Sequence, residues 1–476
     1  MLSKSDLNRN LLDAEYAVRG SIVNRAQQLE DLGKKIIYCN IGNPQALKQK
    51  PLTFLRQMLS LLEYPEILSK REVLRFYPKD IVEKARLFLT RHPHGTGAYT
   101  QSPGIPFIRQ AVADFIARRD GIPADKNYVI LTDGASKGVQ AAILALLKNS
   151  NDGIMIPIPQ YPLYSATIKL YGGKEVGYFL DENNRWQLNV DILRESFAKA
   201  GREGIHPVAI AVINPGNPTG AVLTRENIEM VVQFAKEHRL AILADEVYQE
   251  NVYAANRTFV SFAKVMHESG EKDVALFSFH SVSKGFLGEC GHRGGYTEFR
   301  NIPDDVLAEL VKLQSISLCA NVAGQIATYM MVSPPTPGDE SYATYQNEKE
   351  TILRSLKKKA EMLGKGINRI PGMSLDVPEG AMYAFVKFSL PPDASVDMHV
   401  MTARQRMEYE ASRDEAYCMA MLEETGICVV PGSGFGQMPG TLHFRTTFLP
   451  PENEIEEFVA RLKQFHENYV RELAEV

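Results

Sequence analysis

The sequence lacks the features that mark several large classes of protein. Its 476 residues include only five cysteines, which are scattered and form no CxxC pair, so neither a disulfide framework nor a zinc site is indicated. No apolar run is long enough to cross a bilayer, and the first residues contain no signal-peptide core. These absences predict a cytoplasmic protein with reduced cysteines.

A charge excess and the common nucleotide-binding motifs are also missing. The formal net charge is −4, which offers no positive field for a nucleic acid or an anionic membrane. The chain contains neither GxGxxG nor a P-loop pattern, so it does not predict a dinucleotide site or P-loop chemistry. What remains is an ordinary globular composition, 45% hydrophobic and 23% charged, in a chain long enough for at least two domains.

Strand-like and helix-like stretches alternate from about residue 105 onward. The strand candidates are short runs rich in β-branched residues, namely YVILT, GIMIPI, VAIAVI, LAILAD and VALFSFH. This alternation predicts an α/β fold with a mostly parallel central sheet, helices on both of its faces, and a smaller α+β domain. The predicted division is an N-terminal arm with part of the small domain at 1–95, a large domain at 96–342 and the C-terminal small domain at 343–476.

Polar residues follow several of these strand candidates. Gly134, Ala135 and Ser136 open a helix directly after a strand, where free backbone amides and the helix dipole favour a phosphate. Such a turn is more often only a helix cap. Asp245 ends another strand and would lie at the carboxyl edge of the sheet, where open α/β sheets bind ligands. The alternative for Asp245 is again a helix cap.

Two further segments carry reactive or orientable side chains. VINPGNPTG contains two Asn-Pro pairs, and proline restricts the residue before it, so Asn217 would be held in a fixed direction. SVSKGFLGECGHRGG places Lys284 among small residues, with Ser281 and Arg293 nearby. A desolvated lysine can attack a carbonyl, and a hydroxyl with a guanidinium suits a phosphate. A plain turn and a solvated surface lysine are the ordinary alternatives.

Taken together, these groups describe the binding of one molecule. Pyridoxal 5'-phosphate has an aldehyde for a lysine, a ring nitrogen for a carboxylate, a ring hydroxyl to orient and a phosphate to anchor. The combined pattern therefore predicts this cofactor, although each signal is weak alone.

At this point the chain resembles the class I aminotransferases of pyridoxal-phosphate fold type I, over essentially its whole length. The resemblance is carried by the order of GAS, PQYPLY, NPGNPTG, DEVY, SVSK and HFRTTF. NIGNPQ, GAYTQSPGI, SPPTPGDESY and SVSKGFLGECGHRGGY are similar, more narrowly, to the alanine aminotransferase subgroup. The resemblance implies a homodimer with shared active sites. It also implies ping-pong transfer of the amino group of L-alanine to 2-oxoglutarate, giving pyruvate and L-glutamate.

Other functions stay open on the sequence alone. The same scaffold serves aromatic or kynurenine aminotransferases, β-lyases and cyclopropane-forming synthases, which differ in pocket volume and in the fate of the substrate Cα. A regulator with an aminotransferase-like domain would need a basic DNA-binding segment, and little sequence precedes the phosphate-site strand.

The resemblance also implies a role for each matching residue. Lys284 would condense with the cofactor aldehyde and later move the proton. The other cofactor-binding residues would be Ala135, Ser136, Ser281 and Arg293 at the phosphate, Asp245 at the ring nitrogen, Asn217 and Tyr248 at the ring oxygen, Tyr161 stacked on the ring, and Tyr99 reaching the phosphate of the other subunit. The substrate site would comprise Gly42, Asn217 and Arg445, the arginine binding the α-carboxylate. Arg19 is the one residue considered for the distal carboxylate of glutamate.

Overall fold

The computed structural model of the chain describes residues 2–16, 20–391 and 403–475. The strands in these residues are β1 (Ile37–Tyr38), β2 (Val129–Thr132), β3 (Asp152–Ile158), β4 (Lys174–Phe179), β5 (His206–Ile213), β6 (Ala241–Asp245), β7 (Leu276–Ser281), β8 (Gly295–Arg300), β9 (Met373–Ser374), β10 (Tyr383–Phe388), β11 (Ile427–Cys428), β12 (Val430–Pro431) and β13 (Leu442–Thr447). Arg19, considered above for the distal carboxylate, lies outside the described residues.

The α-helices surround and connect these strands. Their bounds in the described residues are α1 (Arg9–Asp13), α2 (Ser21–Asp31), α3 (Thr53–Glu63), α4 (Arg71–Leu74), α5 (Lys79–Arg91), α6 (Pro106–Asp120), α7 (Ala135–Leu146), α8 (Leu163–Leu170), α9 (Val190–Arg202), α10 (Arg225–His238), α11 (Phe262–Glu268), α12 (Asp304–Ser315), α13 (Val322–Val332), α14 (Tyr342–Ile367), α15 (Ala403–Thr425) and α16 (Glu452–Glu475). No helix in the described ranges is both long and apolar enough to span a membrane.

A seven-stranded sheet forms the centre of the large domain. Its strand order is β2-β8-β7-β6-β5-β3-β4. The neighbours from β7 to β4 pair in parallel, whereas β8 runs antiparallel to both β2 and β7. The predicted α/β fold with a mostly parallel sheet is confirmed.

Helices cover both faces of this sheet, which explains why its strands are continuous apolar runs. In β5, Ile210 and Val212 pack into one buried cluster, with residues of α9, α10 and α11. Ala209 and Ala211 pack into another, with residues of α7, α8 and α12. Successive residues of a strand point to opposite faces, so both faces of a doubly covered strand must be apolar.

The small domain has its own antiparallel sheet, in the order β12-β13-β10-β9. The short strands β1 and β11 pair in parallel beside it. Residues of α14, α15 and α16 pack with these strands in one buried cluster, which also takes in α2 and β1 from the N-terminal segment. The N-terminal segment therefore contributes to the small domain.

The rest of the N-terminal segment packs elsewhere. Residues of α3 and α5 share a buried cluster with residues of α6 and α13 in the large domain. The predicted boundary at residue 95 stays a prediction, but the packing divides residues 1–95 between the two domains. The amphipathic pattern of α3 and α5 shows that each helix buries one face, but it does not indicate against which domain.

Candidate active site

A cavity of about 450 Å³ opens at the carboxyl ends of β5, β6 and β7. Eleven of the residues singled out in the sequence line it, namely Gly42, Ala135, Ser136, Tyr161, Asn217, Asp245, Tyr248, Ser281, Lys284, Arg293 and Arg445. They come from both domains and from seven separate segments of the chain, so the convergence is a property of the fold. The remaining cofactor candidate, Tyr99, does not line this cavity.

Lys284 lies three residues beyond the end of β7 and reaches into the cavity. Its Nζ donates a hydrogen bond of 2.8 Å to the backbone carbonyl of Gly42, and it lies 5.9 Å from the centre of the Tyr248 ring. A Cβ at residue 42 would overlap the hydroxyl of Tyr383 and lie 3.3 Å from this Nζ. Glycine at position 42 therefore lets the backbone approach the lysine.

Asp245 is the last residue of β6 and is buried. Its carboxylate accepts hydrogen bonds from the Tyr164 hydroxyl at 3.2 Å and from the Val247 amide at 3.4 Å. Burial raises the pKa of Asp245 to about 6, although these hydrogen bonds and the positive charge of Lys284 act in the opposite direction. A cation facing this carboxyl would therefore stabilise its charged form.

The amino end of α7 and the side chain of Arg293 form another part of the cavity wall. Arg293 donates from Nη2 to the Asp133 carbonyl at 3.1 Å and to Ser136 Oγ at 3.2 Å. It packs on Gly134, where a Cβ would lie 3.1 Å from the guanidinium carbon. A Cβ at Gly295 would similarly lie 3.2 Å from the Ala135 amide. These glycines keep the helix amides and the guanidinium close together, as an anion site requires.

Arg445 lies on β13 and is only 1% exposed. Its guanidinium is held between two aromatic rings, 4.2 Å from the centre of Tyr383 and 4.6 Å from that of Phe435. Nη1 donates to Asn217 Oδ1 at 3.2 Å and Nη2 donates to the Asn40 carbonyl. Within the described residues, Nε has no hydrogen-bond partner. An oriented, buried guanidinium of this kind suits a ligand carboxylate.

Three tyrosines of the site were missed in the sequence. Tyr383, the first residue of β10, lines the cavity, and Tyr164 donates a hydrogen bond to Asp245. Tyr16, from the N-terminal arm, bonds the hydroxyl of Tyr161 at 2.8 Å. Tyr164 lies one helical turn after Tyr161, which is a local signal. Nothing local marks Tyr383 or Tyr16, because each reaches the cavity only through the packing of distant segments.

Tyr383 has an unusual electrostatic environment. Burial acts to raise the pKa of its phenol, but the positive charges of Lys284 and Arg445 and a hydrogen bond with Tyr248 outweigh burial, so this pKa lies below its usual value. The pKa of Tyr248 is raised well above its usual value, through burial and through its proximity to Tyr383. Of the two phenols, Tyr383 is thus the one whose ionised form the neighbouring positive charges favour.

Tyr99 occupies a different place from the other candidates. Its side chain is 77% exposed, although the backbone next to it is fixed by a hydrogen bond from the Thr100 amide to Cys319 Sγ at 3.4 Å. A large aromatic side chain on an anchored but exposed segment suits a contact with a second subunit. The role implied for Tyr99, at the other subunit's phosphate, stays a prediction.

The residues present fit the predicted cofactor. A protonated ring nitrogen would supply the ion-pair partner that buried Asp245 lacks among the described residues, and a phosphate would complete the anion site of α7 and Arg293. Among the described residues, Lys284 is the one lysine lining this cavity. The cavity thus offers a partner for each of three groups of one molecule, namely a phosphate, a basic ring nitrogen and an aldehyde carbonyl.

Comparisons with known proteins agree with this geometry. The family model for aminotransferase class I and II matches residues 70–462. The chain is 48% identical to the probable mitochondrial alanine aminotransferase of Dictyostelium discoideum, over 97% of this chain and 88% of that protein. It is 46% identical to glutamate–glyoxylate aminotransferase 2 of Arabidopsis thaliana, over 100% and 98% of the two chains. Among solved structures, the alanine aminotransferase of Pyrococcus furiosus superposes with a TM-score of 0.77 at 27% identity, covering 97% of this chain and 100% of that chain.

Proposed function

Because the chain belongs to the class I and II aminotransferases, we propose that it transfers the amino group of L-alanine to 2-oxoglutarate, giving pyruvate and L-glutamate. The observation that carries this proposal is the meeting of Lys284, Asp245 and Arg445 in one cavity. The alanine aminotransferase among its relatives supports alanine as the donor. The prediction of a transaminase that uses pyridoxal phosphate is confirmed by the family.

The cofactor would be held at both of its ends by this chain. The first amides of α7, with Ser281 and Arg293, would bind the phosphate, and Asp245 would pair with the ring nitrogen. Asn217 and Tyr248 would bind the ring oxygen. When bound, the cofactor supplies an electron-accepting ring that makes the Cα–H bond of an attached amino acid acidic.

The protein's own groups set the geometry of proton transfer. Arg445, fixed between Tyr383 and Phe435, would bind the α-carboxylate and thereby direct the Cα–H bond towards Lys284. The Nζ of Lys284 then takes the Cα proton of the donor, and in the return half-reaction it gives a proton to the same carbon of the acceptor. The Gly42 carbonyl, which accepts from this amine, keeps the lysine directed into the cavity, and the Tyr383 hydroxyl lies beside the same glycine.

The mouth of the cavity is bounded by the N-terminal arm. Tyr16 lines it and is hydrogen-bonded to Tyr161, with the two rings in an edge arrangement at 6.4 Å. In this position the pair would limit access of water to the reacting atoms. The arm thus belongs to the site.

The half-reaction with L-alanine, in the absence of an acceptor, tests this proposal. L-Alanine alone, added to the purified holoenzyme, should change its visible absorbance and release one equivalent of pyruvate per site before any acceptor is present. A panel of acceptors, including 2-oxoglutarate and glyoxylate, and of donors, including kynurenine, then ranks substrates by kcat/KM. A requirement for both substrates before any pyruvate forms would contradict the proposal. β-Elimination products would point to a lyase.

We also propose a homodimer in the cytoplasm. The Thr100–Cys319 hydrogen bond joins the segment of Tyr99 to the segment that carries Ile316 and Leu318, whose side chains are 78% and 50% exposed. Exposed large apolar side chains on joined segments support a contact between subunits. The five cysteines are all free, in keeping with a reducing compartment. Sedimentation of the holoenzyme would test the dimer, and a monomer with full activity would contradict shared sites.

A further inference from the structure

A second cavity, of about 930 Å³, lies away from the catalytic one and is larger. Three parts of the chain form it, namely the loop between β1 and α3 with the start of α3, residues 347–359 of α14, and the segment between β13 and α16 with the start of α16. These segments continue from Gly42 and from Arg445, because residues 47 and 449 follow those positions closely. An occupant of this cavity would therefore contact the backbone that carries both substrate-site residues.

Lys359 is the most deeply buried of the charged residues that line this cavity. It is only 7% exposed and its Nζ donates to the Leu449 carbonyl at 2.7 Å. An ammonium group has three donors, and a buried ammonium is unfavourable unless its charge and its hydrogen atoms find partners. Burial lowers the pKa of Lys359 to about 8, despite the opposing influence of Glu452.

The neighbouring carboxylates are already engaged by other groups. Glu452 pairs with Lys358, Glu454 pairs with Lys48, and Glu348 accepts from the amide and hydroxyl of Thr53. Within the described residues, no carboxylate forms an ion pair with Lys359. This lysine is therefore a buried cation that lines a cavity and forms no ion pair with a described residue, although the charge of Glu452 acts on it.

The remaining wall shows what kind of anion would fit. Much of it is apolar, formed by Leu47, Pro51, Ile352, Leu356, Leu449 and Pro451, and the hydroxyl groups of Thr351 and Ser355 also line it. An inorganic anion would leave this apolar surface uncovered, whereas a hydrocarbon group would bury it. The wall and the lysine together describe an amphipathic ligand.

From these observations we propose that the cavity binds a small carboxylate with an apolar body, the carboxylate on Lys359 and the body against the leucine, isoleucine and proline wall. The site is separate from the transamination site and does not depend on which amino acid the enzyme uses. Its ligand class is that of short-chain aliphatic carboxylates.

Calorimetric titration of the holoenzyme with hexanoate tests the proposal, since this probe has neither an amino nor an oxo group. We expect Lys359→Met to weaken hexanoate binding by about tenfold or more, because a charge-assisted contact is lost. The control is Lys357→Met, on the exposed face of the same helix and outside the cavity, which should bind as the parent does. Arg445→Lys should also retain binding. Unchanged affinity in Lys359→Met, or affinity lost in Arg445→Lys, would overturn the proposal.

A second measurement needs no variant and so does not depend on the folding of Lys359→Met. Acetylation of individual lysines by dilute acetic anhydride is followed by mass spectrometry, with and without hexanoate. Hexanoate should slow the acetylation of Lys359 and leave that of Lys357 unchanged. Equal rates at Lys359 with and without hexanoate would overturn the proposal, whatever the transamination assay shows.

Discussion

Asp245 and Glu246 are adjacent and both buried, yet they serve two different regions of the molecule. Asp245 faces the catalytic cavity. Glu246 lies in a closed polar cluster, where it accepts from the Phe262 amide at 2.9 Å and from Ser278 Oγ at 2.7 Å. The positive charge of Arg119 also acts on Glu246. The end of one β-strand thus directs two carboxyl groups into opposite environments.

The two regions differ in how their charges are matched. Arg119 donates to Asp120 Oδ1 at 2.8 Å and to Gln249 Oε1 at 2.8 Å, so its charge is compensated within the chain. Arg445 is more deeply buried but forms no ion pair with any described residue, and its Nε is unpartnered there. A matched buried charge supports the fold, whereas an unmatched one indicates a ligand. Substitutions in the two regions should therefore change different quantities.

The largest effect is expected for Lys284→Ala. Loss of the amine that binds the cofactor aldehyde and moves the proton should lower kcat by about 10⁴-fold or more. The visible absorbance of the bound cofactor should shift while circular dichroism stays unchanged. Lys312→Ala, at an exposed site on α12, is the control. Turnover near that of the parent would place the reactive amine elsewhere.

Asp245→Asn, compared with Glu246→Gln, tests the two regions directly. The amide cannot hold a proton on the ring nitrogen, so Asp245→Asn should lower kcat by about 10³-fold. Glu246→Gln keeps one oxygen to accept from the Phe262 amide, and its new NH₂ group can donate to Ser278 Oγ, so its kcat should stay within about twofold of the parent. Steady-state kinetics at saturating alanine measures both. Equal losses in the two variants would mean that Glu246 also acts in the reaction.

Arg445→Lys extends the comparison to the two arginines. A lysine cannot make the forked contact with the α-carboxylate, so kcat/KM for alanine should fall by about 10²-fold, mainly through KM. Arg119→Lys should leave KM unchanged and lower the free energy of unfolding by about 1–3 kcal/mol, because its contacts with Asp120 are lost. Kinetics and urea unfolding separate the two effects. A raised KM in Arg119→Lys would contradict the assignment.

Much of the site could be predicted because parallel strands bring their carboxyl ends to one edge. Asn217, Asp245, Ser281 and Lys284 each end or follow a strand that is a short apolar run. Recognising those runs as parallel strands is therefore enough to place the four side chains at one edge of the sheet. Arg445 is different, because it lies on the small sheet and only the family resemblance indicated it.

The rest depends on contacts between segments that are distant in the chain. Tyr383 reaches the cavity because β10 pairs with β13, in the register that sets Phe385 opposite Arg445, and because the two domains pack around Gly42. No local pattern fixes that register or that packing. The same reason explains why the association of α3 and α5 with the large domain could not be predicted from their amphipathic pattern.

Tyr383→Phe examines the cavity phenol whose pKa is lowered. The ring stays over Arg445, so KM for alanine should change little, while loss of the hydroxyl beside Lys284 should lower kcat by about tenfold. The isotope effect with Cα-deuterated alanine should rise, since proton transfer becomes more limiting. Tyr417→Phe, which loses a hydrogen bond to His466 outside the cavity, should alter neither. A lower kcat without a larger isotope effect would indicate a structural role only.

The smallest expected effect is the pH dependence of stability that arises from Glu246 in the closed polar cluster. Burial raises the pKa of Glu246 from 4.5 to about 7, against the charge of Arg119 and the hydrogen bonds from Ser278 and Phe262. A carboxyl with a raised folded-state pKa binds its proton more tightly in the folded protein than in the unfolded chain. Its contribution to the free energy of unfolding is therefore complete below about pH 4.5 and is lost as the pH rises towards 7. Glu246→Gln carries no such proton. Its urea midpoint should therefore fall less than that of the parent between about pH 5 and about pH 7. If the urea midpoints of the two proteins changed in parallel with pH, Glu246 would stay ionised in the folded protein, with its charge compensated by Arg119 throughout this range.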